Sequence, residues 1–231
     1  MLPIAILAGG YATRIKPISD SIPKALLEFN HKPFLEWQLQ LIEKNNGSLV
    51  VLCISHKSEL IKAFIDGRPK SKLEIVLSYD GEQQLGTGGA LIKAMEFLGN
   101  EFLVLYGDSY LPINFHEVSD YFQKSKKLGL MTVLRNTLNL ESSNVVYDNG
   151  WVRRYDKKHH SADMNYVDFG LNAFRSNVFV NYTAGEYVDL SSIQSSLATR
   201  NELVGYEVNQ RFYEVGSFQG IMDFKEFAKG I

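Results

Sequence analysis

Apolar residues come in short blocks along this chain, and the blocks alternate between two periods. Residues 2–7 form an apolar run closed by Gly9-Gly10, which predicts a buried strand. Behind Pro33, the residues Phe34, Leu35, Trp37, Leu39, Leu41 and Ile42 recur at helical spacing, so residues 33–44 predict a helix with proline in its first turn. The alternation continues with a strand at 48–55, a helix at 58–66 and a strand at 73–78. A helix at 88–98 opens on a glycine pair, and a strand at 101–106 ends in Gly107-Asp108. A helix at 115–127 and a strand at 130–134 complete the series.

Strands alternating with helices imply βαβ units, hence an α/β fold with a mostly parallel sheet and helices on both faces. In such sheets ligands bind beyond the carboxyl ends of the strands. Two candidate segments fall there: the glycine loop after the first strand, and Asp108. From about residue 140 the texture changes. Short strand patterns at 144–147 and 151–155 flank Asp148-Asn149-Gly150, and Asn-Gly is a strong hairpin signal. No linker, repeat or low-complexity tract interrupts the chain. A single domain over 1–231 is expected, with a core over about 1–135 and a substrate-covering β segment within about 136–231.

Composition narrows the function classes. The chain has 231 residues, 45% apolar and 22% charged, with a net charge of -2. That charge argues against a broad footprint for nucleic acid or anionic lipid, but leaves room for a local phosphate pocket. No apolar stretch approaches the ~20 residues needed to span a bilayer. No basic segment precedes the first apolar run, so no secretory leader is expected and the cytoplasm is the expected compartment. The lone cysteine, Cys53, cannot form an internal disulfide and sits in an apolar run, which predicts a buried thiol. His159 and His160 read as loop residues, because no other His or Cys offers metal-ligand spacing around them. Neither G-x-x-x-x-G-K-[ST] nor G-x-G-x-x-G is present.

Five segments carry candidate chemistry. The first is Leu7-Ala8-Gly9-Gly10-Tyr11-Ala12-Thr13-Arg14, followed by Pro23-Lys24-Ala25-Leu26-Leu27. Paired glycines let the backbone approach a phosphate, and Arg14 and Lys24 add two cations. The plainer reading is a tight turn with two surface cations. The second is Glu82-Gln83-Gln84-Leu85-Gly86-Thr87-Gly88-Gly89-Ala90. The third is Asp108, a carboxylate just past a buried strand, suited to Mg²⁺ together with phosphate oxygens or, alternatively, to capping a turn. The fourth is Asp156-Lys157, with Tyr166-Val167-Asp168-Phe169-Gly170-Leu171-Asn172. The fifth is Phe212-Tyr213-Glu214-Val215-Gly216-Ser217.

In this order, from residue 3 to about 226, the segments resemble the sugar-1-phosphate nucleotidyltransferase family. The length is similar to that of its short class, which includes heptose 1-phosphate and mannose 1-phosphate guanylyltransferases. The resemblance implies a Rossmann-like three-layer fold with a small sugar-binding β insertion. It implies that the backbone of residues 7–13 holds a nucleoside triphosphate, and that Arg14 and Lys24 neutralise charge at the reacting phosphate. Glu82, Gly86 and Thr87 would contact the nucleoside. Lys157 would bind the sugar 1-phosphate, with Asp168 and Gly170 against the sugar. Asp108 and Glu214 would hold Mg²⁺. The chain departs from the family pattern at Ala12, usually glycine, at Glu214, usually aspartate, and at Asp156, usually glutamate. Glu214 also reads as a surface turn residue.

The implied reaction transfers a nucleoside monophosphate from the triphosphate to the sugar phosphate and releases pyrophosphate. GTP with heptose or mannose 1-phosphate is the expected substrate pair. The alternatives are a cytidylyl- or uridylyltransferase with another phosphorylated acceptor, and a non-catalytic nucleotide-sugar-binding subunit. A glycosyltransferase is disfavoured because Asp108-Ser109-Tyr110 is not D-x-D. No nucleic-acid or membrane partner is expected, and the sequence is compatible with a homo-oligomer.

Overall fold

Strand β1 (Ile4–Leu7) sends Ile4 and Ile6 to one face of a central sheet and Ala5 to the other, the period-2 alternation of a strand buried on both sides. The computed structural model of the chain describes residues 1–10, 15, 22–81, 83–137 and 142–231. After β1 come a short ladder of β2 (Glu28–Phe29) and β3 (Lys32–Pro33), then α1 (Phe34–Lys44), β4 (Leu49–Ile54), α2 (Ser58–Asp66), β5 (Glu74–Tyr79), α3 (Gly86–Leu98) and β6 (Glu101–Tyr106). Next are β7 (Ser109–Tyr110), α4 (Phe115–Ser125), β8 (Gly129–Arg135), β9 (Val145–Asp148), β10 (Trp151–Tyr155) and β11 (Tyr166–Arg175). The chain ends with α5 (Leu190–Thr199), β12 (Leu203–Val208), β13 (Tyr213–Glu214) and α6 (Phe218–Lys229).

Nine strands form one sheet in the order β5-β4-β1-β6-β11-β8-β12-β10-β9. The expected parallel pairing holds across β5, β4, β1 and β6, and again between β8 and β12. Strand β11 runs antiparallel to both β6 and β8, and so joins the two parallel parts. The expected hairpin is β9–β10, with Asn149 and Gly150 both at positive φ, and it forms the far edge of the sheet. Thus the second part of the chain is not only an added β segment, since β11 and β12 complete the sheet itself.

Helices cover both faces. Leu35, Leu39 and Ile42 of α1, Ile61 of α2 and Phe115, Val118 and Phe122 of α4 pack on one face. Ala90, Leu91 and Ala94 of α3 and Leu190, Ile193 and Leu197 of α5 pack on the other. Cys53 points toward α3, is buried, and burial pushes its thiol well above the usual range. A third cluster fastens α6. Phe224 is buried with its ring 4.9 Å from those of Phe29 and Phe34. Among the described residues no helix is long and apolar enough to cross a membrane.

Gly107 shows how closely β1 and the end of β6 approach. A Cβ there would lie 2.4 Å from the Leu7 carbonyl oxygen and 2.8 Å from Ala8 Cα, both backbone atoms. Gly107→Ala is therefore expected to destabilise the fold by about 1–3 kcal/mol, the cost of forcing atoms into a packed site. A guanidinium-melt midpoint unchanged from wild type would refute this close-packing account.

Candidate active site

Asp108 is held in place from three directions. The Gly107 N–H donates to Leu7 O at 3.1 Å, and the Val215 N–H donates to Asp108 O at 2.9 Å. From α1, buried Gln38 donates through Nε2 to Tyr106 O at 3.1 Å and to Ser109 O at 2.8 Å. The turn after β6 is thereby tied to β1, α1 and the C-terminal segment. The Lys24 ammonium lies 2.5 Å from Asp108 Oδ2, so the expected cation and the expected carboxylate meet. Lys24 belongs to a single 3-10 turn, Lys24–Leu26, entered through the extended residue Pro23.

Asp108 stands where two cavities join. The first, about 510 Å³, is walled by Leu7, Gly9, Gly10 and Lys24 on one side and by Gln84, Leu85, Gly86 and Thr87 on the other. The second, about 630 Å³, is walled by Ser109, Asp168, Phe169, Gly170, Phe212 and Glu214 among others. Thr87, Tyr106, Asp108 and Lys157 line both. Of the residues read as nucleotide-binding, Leu7, Gly9, Gly10 and Gly86 line only the first cavity, and of those read as sugar-binding, Asp168 and Gly170 line only the second, while Thr87 and Lys157 line both. Ala8 is in neither wall; it is buried and gives its N–H to Cys53 O at 2.9 Å. Tyr11, Ala12, Thr13, Arg14 and Glu82 lie outside the described residues.

Lys157 is presented by a tight turn. The Asp156 carboxylate accepts from the backbone N–H groups of His159 and Lys158, which draw its pKa down to about 2. The Lys157 ammonium sits over the Tyr106 ring at 5.0 Å and the Tyr155 ring at 5.9 Å. Lys157 lines both cavities, whereas Lys158 lines neither. Asp168 accepts from Tyr106 Oη at 2.9 Å, Tyr155 Oη at 3.3 Å and the Gly170 N–H at 3.0 Å. Burial and the neighbouring Asp168 carboxylate push the Tyr106 hydroxyl well up, so it remains a donor.

The glycines that open α3 have a structural partner that the sequence did not reveal. Segment 186–188 lies against them. A Cβ at Gly86 would be 2.5 Å from Val188 O, and one at Gly89 would be 2.6 Å from Glu186 O. The N–H groups of Gly88 and Gly89 donate to Val188 O. Thr87 Oγ1 accepts from the Leu190 N–H at 3.0 Å and donates to Asp189 Oδ1 at 3.4 Å. These residues therefore fix the far wall of the first cavity as well as lining it.

For a divalent ion, the fit differs between the two expected ligands. Asp108 faces both cavities, as an Mg²⁺ ligand shared with substrate phosphates would. Glu214 is brought alongside by the β7–β13 ladder, in register with Ser109. Its carboxylate turns into its own loop, accepting from the Gly216 N–H at 2.5 Å and from the Ser217 hydroxyl. One lone pair on each oxygen is left for an ion. Among the described residues no group of three or more His, Cys, Asp or Glu side chains forms a metal cage.

Asp80, just past β5, also lines the first cavity, and sequence reasoning passed over it. Burial raises its pKa from 3.8 to about 6, with Lys93 pulling the other way. Between those values the folded state binds more protons than the unfolded state, so this group's contribution to stability falls as pH rises from about 4 to about 6. Asp80→Asn should accordingly match wild type in Tm near pH 4. At pH 8 it should exceed wild type by about 2–4 °C, equivalent to about 1 kcal/mol once solvent screening of a half-buried group is discounted. A Tm difference independent of pH would show that Asp80 is not strained by burial.

The site is thus a pair of adjoining cavities at the carboxyl edge of an α/β sheet, with Asp108 and Lys157 in both walls and Lys24 paired to Asp108 from the first. Residues 4–229 match the family model described as nucleotidyl transferase, and the chain belongs to that family. It is similar to the bifunctional protein GlmU of Methanococcus maripaludis, with 29% identity over 91% of this chain and 50% of the relative. It is also similar to the D-glycero-alpha-D-manno-heptose 1-phosphate guanylyltransferase of Campylobacter jejuni, with 39% identity over 47% of this chain and 48% of the relative. The chain thus spans about half the length of the curated relatives it matches. The crystal structure of HddC from Yersinia pseudotuberculosis complexed with GMP-PN shares the fold, with TM-score 0.81 and 19% identity over 98% of this chain and 99% of that one.

Proposed function

We propose that this protein transfers a nucleoside monophosphate from a nucleoside triphosphate to a sugar 1-phosphate, with GTP and heptose or mannose 1-phosphate as substrates. The observation that carries this reading is the junction of the two cavities at Asp108 and Lys157. The triphosphate lies in the first cavity along Leu7, Gly9 and Gly10, and the sugar in the second against Asp168 and Gly170. A phosphate oxygen of the sugar 1-phosphate attacks the α-phosphorus, a new P–O bond forms, and the bond to pyrophosphate breaks. The attacking monoester is largely ionised near pH 7, so no general base is required.

In this reading Lys24 is at the reacting phosphate, Arg14 would act there with it, and Lys157 is on the sugar phosphate, supplying positioning and charge stabilisation. Asp108 would hold Mg²⁺, and Glu214 would reach the ion through the lone pairs left by Gly216 and Ser217. The metal would draw negative charge from the α-phosphate. Glu82 would contact the nucleoside beside Gly86 and Thr87. We place the reaction in the cytoplasm, as expected for a chain using nucleoside triphosphates. The test is a matrix of common nucleoside triphosphates against a panel of sugar 1-phosphates with Mg²⁺, reading pyrophosphate. Release above background with GTP and a manno-configured sugar 1-phosphate is expected. Release only with CTP or UTP would replace the guanylyl reading, and no release with any pair would favour a nucleotide-sugar-binding subunit.

A further inference from the structure

We propose that Asp80 is the residue that selects guanine, by accepting hydrogen bonds from its N1–H and 2-amino groups. The inference rests on the guanylyl reading above and names the side chain that would enforce it. Asp80 follows β5 directly, at the same carboxyl edge of the sheet as Gly9 and Asp108. It lines the first cavity only, whereas the lysine that binds sugar phosphate lies at the junction. The triphosphate must point its reacting end toward that junction. Its base then points away from Asp108, toward Asp80, which follows the edge strand β5 three strands along the sheet from β6.

The chemistry of that end is unusual. Asp80 Oδ1 is buried and accepts no hydrogen bond from any described residue. Among the described residues, Lys93 places its ammonium 3.1 Å from the main-chain oxygen of Asp80. A Cβ on Gly9 would lie 3.1 Å from Asp80 Oδ2 and 3.0 Å from Ser55 Oγ. Gly9 is bare on the side facing the carboxylate, and a side chain there would crowd it. An unpartnered buried acceptor is costly, and a rotation of the Asp80 carboxyl that brings Oδ1 to donors on a ligand in the cavity removes that cost. A raised Asp80 pKa is what such a site shows before a donor arrives.

A carboxylate has acceptors and no donors when ionised. Guanine alone among the common bases offers two adjacent donors, N1–H and the 2-amino group. Adenine and cytosine place a ring lone pair beside their amino group. Uracil and thymine flank a single N–H with two carbonyls. Each of those edges sets an acceptor against the Asp80 oxygens, so the site rejects them as well as favouring guanine.

The test is calorimetric titration of the full chain with nucleotides in Mg²⁺, which needs no sugar and no turnover. Wild type should bind GTP about 10-fold or more tightly than ITP, which lacks only the 2-amino group. Asp80→Asn should lose about 10-fold or more in GTP affinity. It should instead prefer xanthosine triphosphate, whose carbonyl replaces the amino group and can accept from the new amide. Equal losses for GTP and ITP, with no gain for xanthosine triphosphate, would assign Asp80 to the ribose and overturn the proposal. So would a variant that keeps the wild-type preference for GTP over ITP. If the variant does not fold, a wild-type GTP-to-ITP ratio near one overturns it alone. A wild type that prefers UTP or CTP sinks the guanylyl reading itself, a result separable from failure of the Asp80 assignment.

Discussion

Asp108→Asn is expected to lower kcat/KM by about 10²-fold or more in a pyrophosphate-release assay with GTP and the preferred sugar 1-phosphate. The substitution is nearly isosteric, and the clamps on this turn from Leu7, Gln38 and Val215 are made by main-chain atoms of residues 106–109. The turn should therefore keep its shape. What changes is charge. On the proposed reading, a charged metal ligand is lost where phosphate charge must be stabilised, with several kcal/mol of metal contribution at stake. The ion pair with Lys24 is lost as well. Activity within a few-fold of wild type at limiting Mg²⁺ would remove Asp108 from the metal site.

Lys24→Ala should lower kcat by about 10²-fold, whereas Lys157→Ala should act mainly on KM for the sugar phosphate. Lys24 stands beside Asp108 in the first cavity, where, in the proposed reaction, charge develops on the triphosphate as pyrophosphate departs. A contact that strengthens in the transition state appears in turnover. Lys157, over the Tyr106 and Tyr155 rings, would meet a phosphate that is already charged before reaction, so much of its contribution is uniform binding. Steady-state kinetics with each substrate varied separates the two. If Lys24→Ala raised only KM, the roles would have to be reassigned.

The first half of the fold was legible because its signals are local. Leu49–Ile54 is an unbroken apolar run of strand length, and that run marks β4 without knowledge of its neighbours, although only the structure shows Val50, Leu52 and Ile54 on one face and Val51 and Cys53 on the other. Strand β11 was hidden for the opposite reason. Its Tyr166–Arg175 run is interrupted by Asn172 and by Asp168 and Gly170, the last two of which a sequence reading assigns to binding. Only tertiary pairing, irregular between Asp168 and Asn172, shows that a central strand passes through the same residues. The site divides similarly. Lys24 and Asp108 could be found by motif. Gln38 could not, since a glutamine within an amphipathic helix gives no sign that it supports a turn 68 and 71 residues away. Asp80 could have been found by applying to β5 the strand-end rule that pointed to Asp108.

The middle position of β11 has a consequence for the newly made chain. Until residues 166–175 have emerged and paired, β6 has one neighbour, β1, and its other edge is open. That edge belongs to the apolar run Phe102-Leu103-Val104-Leu105, the kind of strand that recruits another chain when left uncovered. During synthesis the nucleotide-side half therefore passes through an interval in which it can associate with copies of itself. A ribosome-released fragment ending near residue 160 should precipitate, while one extended beyond β12 should stay in solution. Shielding by chaperones would then be needed over a window set by translation speed, at about 5–20 residues per second.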